Sequence, residues 1–573
     1  MIPRFILLTL LFLLFISNVF ALDITLPNNK FGIHLAVPNK DDIKKAAELV
    51  NSTGGKWGYV TVVIQENDRS FDKWQETFDL FRRYKLIPIV RIATQPEGAN
   101  WKKPKIEDAD QWASFLDHLN WVIKDRYVIL FNEPNHASEW GGDVNTKEYA
   151  NISYEFAKKL KEKNKDFFIM LAGFDASAPS SYPNFEDEGY FVSQMFFEKP
   201  ELFSSDLISG WVSHSYANPG FSGSPYDRGR GTVSNYQWEL EYLKQLGIMK
   251  DLPVFITETG WPHNENLQKN NYPTPEITGE NLKIAFQDIW LQDTRVVAVT
   301  PFVLSYETEP FAKFSWKKPN SNEYFPNFKI IKDIQKIKGE PEQLESGEIT
   351  QNLPVEILVN STYYFTINIY NFGQPIWDAK DNYKIDFDKK QNISFDNYFF
   401  SDINETIPGK NTDVNLFIKT GQAKVNEKLN IVLMKNNKEI LKSENWKFKI
   451  IPLPSLNLKV NFFPKLKSFA SNAEIQIYDK SEKLVFKKSG IDIKNSIGKV
   501  SEIRNIYNGG KYRVVILVPY YLPRQNYLVF KKDKNEIKFK KMYPLDFDAD
   551  GNFDFKDLWT LLKRPWLFRL FSF

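Results

Sequence analysis

Two glutamates follow apolar runs far apart in the chain. Glu133 lies in Phe131-Asn132-Glu133-Pro134-Asn135-His136, and Glu258 in Ile256-Thr257-Glu258-Thr259-Gly260-Trp261-Pro262. Two carboxyl groups facing one another are what cleavage of a glycosidic bond needs. One, protonated, donates to the leaving oxygen, and the other, ionised, attacks or stabilises the anomeric carbon. The negative charge of the second helps keep the first protonated near neutral pH. Such a pair needs no cofactor for its chemistry. The chain has no cysteine, which removes thiol nucleophiles, disulfides and Cys-ligated zinc.

Residues this distant meet only if a repeating fold brings them to one edge. Eight short apolar runs occur between residues 29 and 338: Phe31–Leu35, Tyr59–Ile64, Ile87–Ile92, Tyr127–Phe131, Phe167–Ala172, Gly210–Ser213, Val254–Thr257 and Val296–Leu304. Amphipathic stretches separate them, at Asp41–Val50, Phe71–Tyr84, Ala109–Ile123, Lys147–Lys161, Tyr236–Leu246 and Ile277–Leu291, with a last one at Tyr324–Lys338. Near-continuous apolar strands alternating with helices read as parallel strands buried on both faces. Eight such units predict a (β/α)8 TIM barrel, an α/β fold whose chemistry sits where strands end and βα loops begin. Glu133 and Glu258 then stand at the ends of strands four and seven, across one rim. A doubly wound sheet is disfavoured, because no glycine-rich phosphate turn follows the first run.

These strand ends resemble the clan A glycoside hydrolases, the barrel superfamily of cellulases, mannanases, xylosidases and galactanases. The resemblance implies Glu133 as acid/base, Glu258 as nucleophile of a retaining β-glycosidase, and Asn132 as a partner of the sugar 2-hydroxyl. His214-Ser215-Tyr216, after strand six, is similar to the His-x-Tyr of the cellulase-like family 5. That implies a nucleophile partner in Tyr216 and a site-lining His214. Arg91, ending strand three, takes the place of the arginine that keeps the nucleophile ionised there. Glu-Thr-Gly-Trp-Pro is also similar to family 17, and Asn-Glu-Pro-Asn to family 39. His34, His136 and His263 join His214 at or just after strand ends, which predicts a polar sugar cleft. Trp101, Trp140, Trp261 and Trp316 fall in βα loops and are candidates for stacking on sugar. Strand eight lacks the tryptophan usual in family 5, and Tyr306 or Trp316 is expected to replace it.

The remainder predicts different architecture. Residues 345–452 and 453–545 carry period-two runs broken by Asn, Lys, Gly and Pro, which read as two all-β, Ig-like modules. Within 546–573, Asp546, Asp548, Asp550, Asn552, Asp554 and Asp557 have the spacing of an EF-hand-like calcium loop, with Gly551 at its turn and a short helix after it. The loop resembles half of a dockerin. Dockerins pair two such loops, so the single copy argues against a cohesin partner. Residues 1–21 have the form of a signal peptide, with Arg4, an apolar stretch from Phe5 to Phe20 and a Val19-Phe20-Ala21 cleavage site. A secreted or cell-surface protein is therefore expected, its aromatic tail packed on the last module or attached to the envelope. The 573 residues carry 74 basic and 71 acidic groups, a balance that gives no electrostatic case for nucleic acid. The expected partner is a poly- or oligosaccharide. The competing expectation is a non-catalytic carbohydrate-binding or adhesion protein on the same barrel.

Overall fold

The computed structural model describes residues 29–570, except 205, 265–271, 423–425, 465–468 and 533. The expected signal peptide lies outside the described residues, as do Phe571 and Phe573. Two compact units are present, one up to Leu344 and one from Glu345 onward.

The first unit is an eight-stranded, all-parallel sheet with its strands in chain order. They are β1 (Gly32–Leu35), β2 (Gly58–Gln65), β3 (Leu86–Ala93), β4 (Arg126–Leu130), β5 (Phe167–Leu171), β6 (Ile208–His214), β7 (Val254–Glu258) and β8 (Val296–Val299). Its two edges meet at a parallel bridge between Phe31 and Val299, where the Val299 amide donates to the Lys30 carbonyl over 2.9 Å, so the sheet is a nearly closed barrel. Helices α1 (Lys40–Val50), α2 (Phe71–Arg83), α3 (Ala109–His118), α4 (Thr146–Lys163), α5 (Glu188–Glu198), α6 (Asn235–Gln245), α7 (Pro275–Ile284) and α8 (Pro326–Lys332) follow the strands one by one. Their start signals are local. Asn39, Asn145, Asp187 and Thr274 cap α1, α4, α5 and α7 through side-chain oxygens that accept amides of the first turn.

The barrel is filled from below by large rings near strand starts. Tyr127 lies 5.0 Å from Phe168 and 5.1 Å from Phe255, and Tyr59 is 6.2 Å from Tyr127. With one end plugged, the cavity lined by polar side chains lies at the other, C-terminal end of the strands. Two expectations change here. β8 stops at Val299 rather than Leu304, because Thr300 and Pro301 already turn toward β7 and β1: the Thr300 amide donates to Ile256 and the His34 amide to Pro301. The stretch Ile277–Leu291 is not uniform either, since α7 passes into a π-turn at Ala285–Trp290.

The second unit is β-rich, with two apolar cores. One spans Ile349 to Ile450 and the other runs mainly from Ile451 to Leu567. The first is enclosed by sheets of four, three and three strands. Around the second, all seven strands from Ser455–Lys459 to Lys534–Lys538 belong to one sheet, and those two strands pair in parallel. These strands enclose the second core. The last helix, α9 (Phe555–Lys563), follows.

Candidate active site

The polypeptide is bent sharply where β4 ends. Phe131 and Glu133 both have positive φ, +70° and +31°, a conformation costly for side chains with a Cβ. The bend is tied to β5 by the Glu133 amide, which donates to the Gly173 carbonyl over 3.1 Å. Gly173 has a second use, since a Cβ there would collide with the His214 ring. Glycine at this point lets His214, from the end of β6, lie under Glu133.

Four strand ends converge on the two glutamates. Arg91 Nη1 donates to Glu258 Oε1 and to Asn132 Oδ1, each over 2.5 Å. Tyr216 Oη donates to the other Glu258 oxygen, Oε2, over 3.1 Å. His214 Nδ1 lies 2.7 Å from Glu133 Oε1 and 4.0 Å from Glu258 Oε2. One carboxylate oxygen of Glu133 and one of Glu258 stand within 4.8 Å of each other. The pair is therefore asymmetric: Glu258 faces a guanidinium and a phenol, and Glu133 faces an imidazole.

Electrostatics follow the geometry. Burial works to raise the Glu258 pKa, but His214 and the Arg91 guanidinium outweigh it and hold the carboxyl well below the usual range. Burial opposes the charge on His214 too, and the two glutamates overcome it, so its pKa is raised. His34, buried below the cavity, goes the other way. Desolvation and then Arg91 push it down to about 3, so the ring is neutral, and neither ring nitrogen has a hydrogen-bond partner.

No family model matches the chain, and no curated protein does. Solved structures similar to it include an endo-β-1,4-glucanase from Xanthomonas axonopodis pv. citri, 12% identical over 53% of this chain and 97% of that one, with a TM-score of 0.37. A β-mannanase from Thermomonospora fusca is 11% identical over 50% and 83%, with a TM-score of 0.31. An FMN-binding β-glucuronidase from Facaelibacterium prausnitzii L2-6 is 8% identical over 74% and 56%, with a TM-score of 0.34.

The cavity over the pair has a volume of about 500 Å³. Of the residues expected at it, His34, Arg91, Asn132, Glu133, His136, Tyr216 and Glu258 line it, with His214 directly beneath through Glu133. His136 Nε2 is 2.8 Å from Asp175 Oδ2, which fixes the ring at the rim. Two expected stacking platforms are absent from the lining. Trp261 is 2% exposed and spends its indole N–H on the Gly223 carbonyl, and Trp316, also 2% exposed, packs in the barrel core. His263 is likewise turned away, onto the Ser315 carbonyl. Trp101 and Tyr306 do reach the cavity, while Trp140 borders it as a wholly buried ring whose indole N–H donates to Glu148.

Other lining residues carry no sequence motif. Phe302 follows β8 and sits 5.1 Å from the His34 ring, where a tryptophan was missed. Phe311, Phe314 and Phe221 extend that aromatic wall, with Phe221 and Phe314 5.3 Å apart. Glu139, in a short turn after Glu133, adds a third carboxyl. Burial pushes its pKa up to about 7, helped by the charges of Glu133 and Glu258 and opposed by Arg91 and Asn132. A carboxyl raised on folding favours the folded state while protonated, and that advantage disappears as pH rises from the unfolded value of about 4.5 through 7. Replacement by Gln, which never ionises, removes a pH-dependent loss of roughly 3 kcal/mol. Urea unfolding at pH 5 and pH 8 checks this: the parent loses stability relative to Glu139→Gln at the higher pH, and identical pH dependence in the two contradicts it.

In the C-terminal loop, Asp546, Asp548 and Asp550 each bring a carboxylate oxygen within 4.8 Å of the others. Asn552, Asp554 and Asp557 hydrogen-bond within the loop and the start of α9. Asp557 is buried and accepts the Phe547 amide over 2.6 Å and the Asp554 amide over 2.8 Å, while Asp554 caps α9 by accepting from Lys556. Asn552 donates its amide to Asp550. Three of the six expected ligands thus converge, and burial with the neighbouring aspartate charges raises the pKa of Asp546 against the Gly551 amide that it accepts.

Proposed function

We propose that this protein is a retaining β-glycoside hydrolase acting on a poly- or oligosaccharide. The observation that carries the reading is the close, unequally partnered pair Glu133 and Glu258. Carboxyl groups about 5 Å apart suit a covalent double displacement, whereas inversion needs a wider gap of about 6.5–9.5 Å for a water. Glu258, held ionised by Arg91 and oriented by Tyr216, attacks the anomeric carbon as the bond to the leaving oxygen breaks. Glu133 gives that oxygen its proton. A water then enters on the same face, loses a proton to Glu133 and releases the sugar from Glu258, restoring both groups. Asn132 is placed to meet a sugar hydroxyl, and Phe302 offers a face for the ring at the cleavage point.

Reducing-end release from β-glucans, mannans, xylans and galactans tests the proposal, with Glu133→Gln and Glu258→Gln run alongside. Release by the parent that both substitutions abolish supports it. Binding without release, unchanged in both variants, favours a non-catalytic carbohydrate-binding protein instead. Export, with residues 1–21 as leader, belongs to the same reading.

We propose too that Asp546, Asp548 and Asp550 hold a structural calcium ion. Calcium added to chelator-treated protein then raises the melting temperature of the second unit, and Asp548→Asn with Asp550→Asn abolishes the rise. An equal rise in the double variant contradicts it.

A further inference from the structure

Helix α9 is fixed on one side and bare on the other. Asp557 is fully buried under three backbone amides, Leu561 packs on the apolar core that ends at Leu567, and Leu567 itself is buried. The opposite face carries Phe555, Leu558, Trp559 and Leu562, which are 76%, 45%, 53% and 73% exposed, and Trp566 just beyond is 52% exposed. The spacing of the first four, i, i+3, i+4 and i+7, makes a single stripe along the helix. Exposed apolar patches of this kind mark a contact surface.

Charge says what contacts it. From residue 555 to 573 the cations are Lys556, Lys563, Arg564 and Arg569, and the single acid, Asp557, is turned inward. Lys563 and Arg564 are exposed at the C-terminal end of the stripe, with Lys563 Nζ 5.0 Å from the Trp559 ring centroid. The acidic turn of Asp546 to Asp554 precedes the helix at its other end, where Asp550 and Asp554 lie 4.0 and 3.9 Å from Lys556, so among the described residues the unpaired cations are at the C-terminal end. Tryptophans interleaved with cations beside an apolar stripe suit the boundary between acyl chains and anionic headgroups. A nine-residue helix cannot cross a bilayer, and among the described residues no helix is long and apolar enough to do so. We propose that α9 is an interfacial anchor, which lays Phe555, Trp559, Leu562 and Trp566 into the surface of an anionic lipid bilayer.

This inference is independent of the glycosidase reading, and its test uses no sugar. The full chain is sedimented with vesicles of phosphatidylcholine containing 30% phosphatidylglycerol, and with vesicles of phosphatidylcholine alone. The expected result is at least tenfold tighter association with the anionic vesicles, weakened by salt. Trp559→Asp with Leu562→Asp abolishes it while leaving the thermal melt unchanged, both positions being solvent-exposed. A milder Leu562→Ser variant, if the double variant misfolds, binds several-fold more weakly. Association that both variants leave intact overturns the proposal, because another segment then holds the vesicles. So does a parent that ignores vesicles but forms a dimer that the same substitutions dissociate, since the stripe then covers a second copy of the chain.

Discussion

Glu258→Gln is expected to lower kcat by about 10⁴-fold or more, about 5 kcal/mol of barrier, while the protein remains folded. Glutamine keeps an oxygen for the Arg91 guanidinium but has lost the charge and the nucleophile. In the parent, His214 and Arg91 outweigh the cost of burial to keep this carboxyl ionised. Loss of a charge is therefore what the variant reports. Glu258→Gly separates nucleophile from bystander. Azide placed in the space vacated by the side chain restores turnover and yields the glycosyl azide of inverted configuration. Activity in Glu258→Gln within tenfold of the parent, measured on the same glycan, contradicts the assignment.

The second large effect depends on the leaving group. Glu133→Gln is expected to slow release of a sugar or alkyl leaving group by about 10²–10⁴-fold, the ordinary contribution of a positioned general acid. A dinitrophenyl leaving group departs without a proton, so its first step is nearly spared. The covalent intermediate then accumulates, because Glu133 is also the base that activates water, and a burst of dinitrophenolate precedes a slow steady state. His214→Ala shares part of this phenotype, as its Nδ1 sits 2.7 Å from Glu133. An equal loss on both kinds of substrate removes Glu133 from the acid role.

Much of the barrel was legible in the sequence because buried parallel strands are continuous apolar runs. Tyr127, Phe168 and Phe255 fall inside such runs and plug the barrel. Strand ends form the rim, so Glu133 and Glu258 could be placed on it from sequence position, whereas Arg91 and His214 were placed with the help of the family resemblance. Loops obey no such period. Trp261 and Trp316 share residue type and loop position with Trp101, and only tertiary packing decides that the first two are buried while the third reaches the cavity. Glu139 belongs to no motif, and its raised pKa arises from neighbours that the fold supplies. Asp175 was recoverable in principle, since a histidine after β4 needs an acceptor and β5 is the adjacent strand. In the second unit, period-two patterning marks strands but not partners. The parallel pairing of Ser455–Lys459 with Lys534–Lys538, which adds the edge strand to the seven-stranded sheet, has no signature in either segment. In the Asp546 to Asp557 loop, Asp554 and Asp557 also satisfy the rule for capping a helix, and the fold uses them so.

The most direct test of the central claim is the site of covalent labelling. The parent is incubated with activated 2-deoxy-2-fluoro β-glycosides of glucose, mannose, xylose and galactose, and the inactivated protein is digested and its peptides weighed. The account predicts one glycosyl adduct, with the glycoside whose sugar matches the substrate, carried by Glu258. An adduct on any other residue contradicts it. So does an active enzyme that takes no label and releases product of inverted configuration.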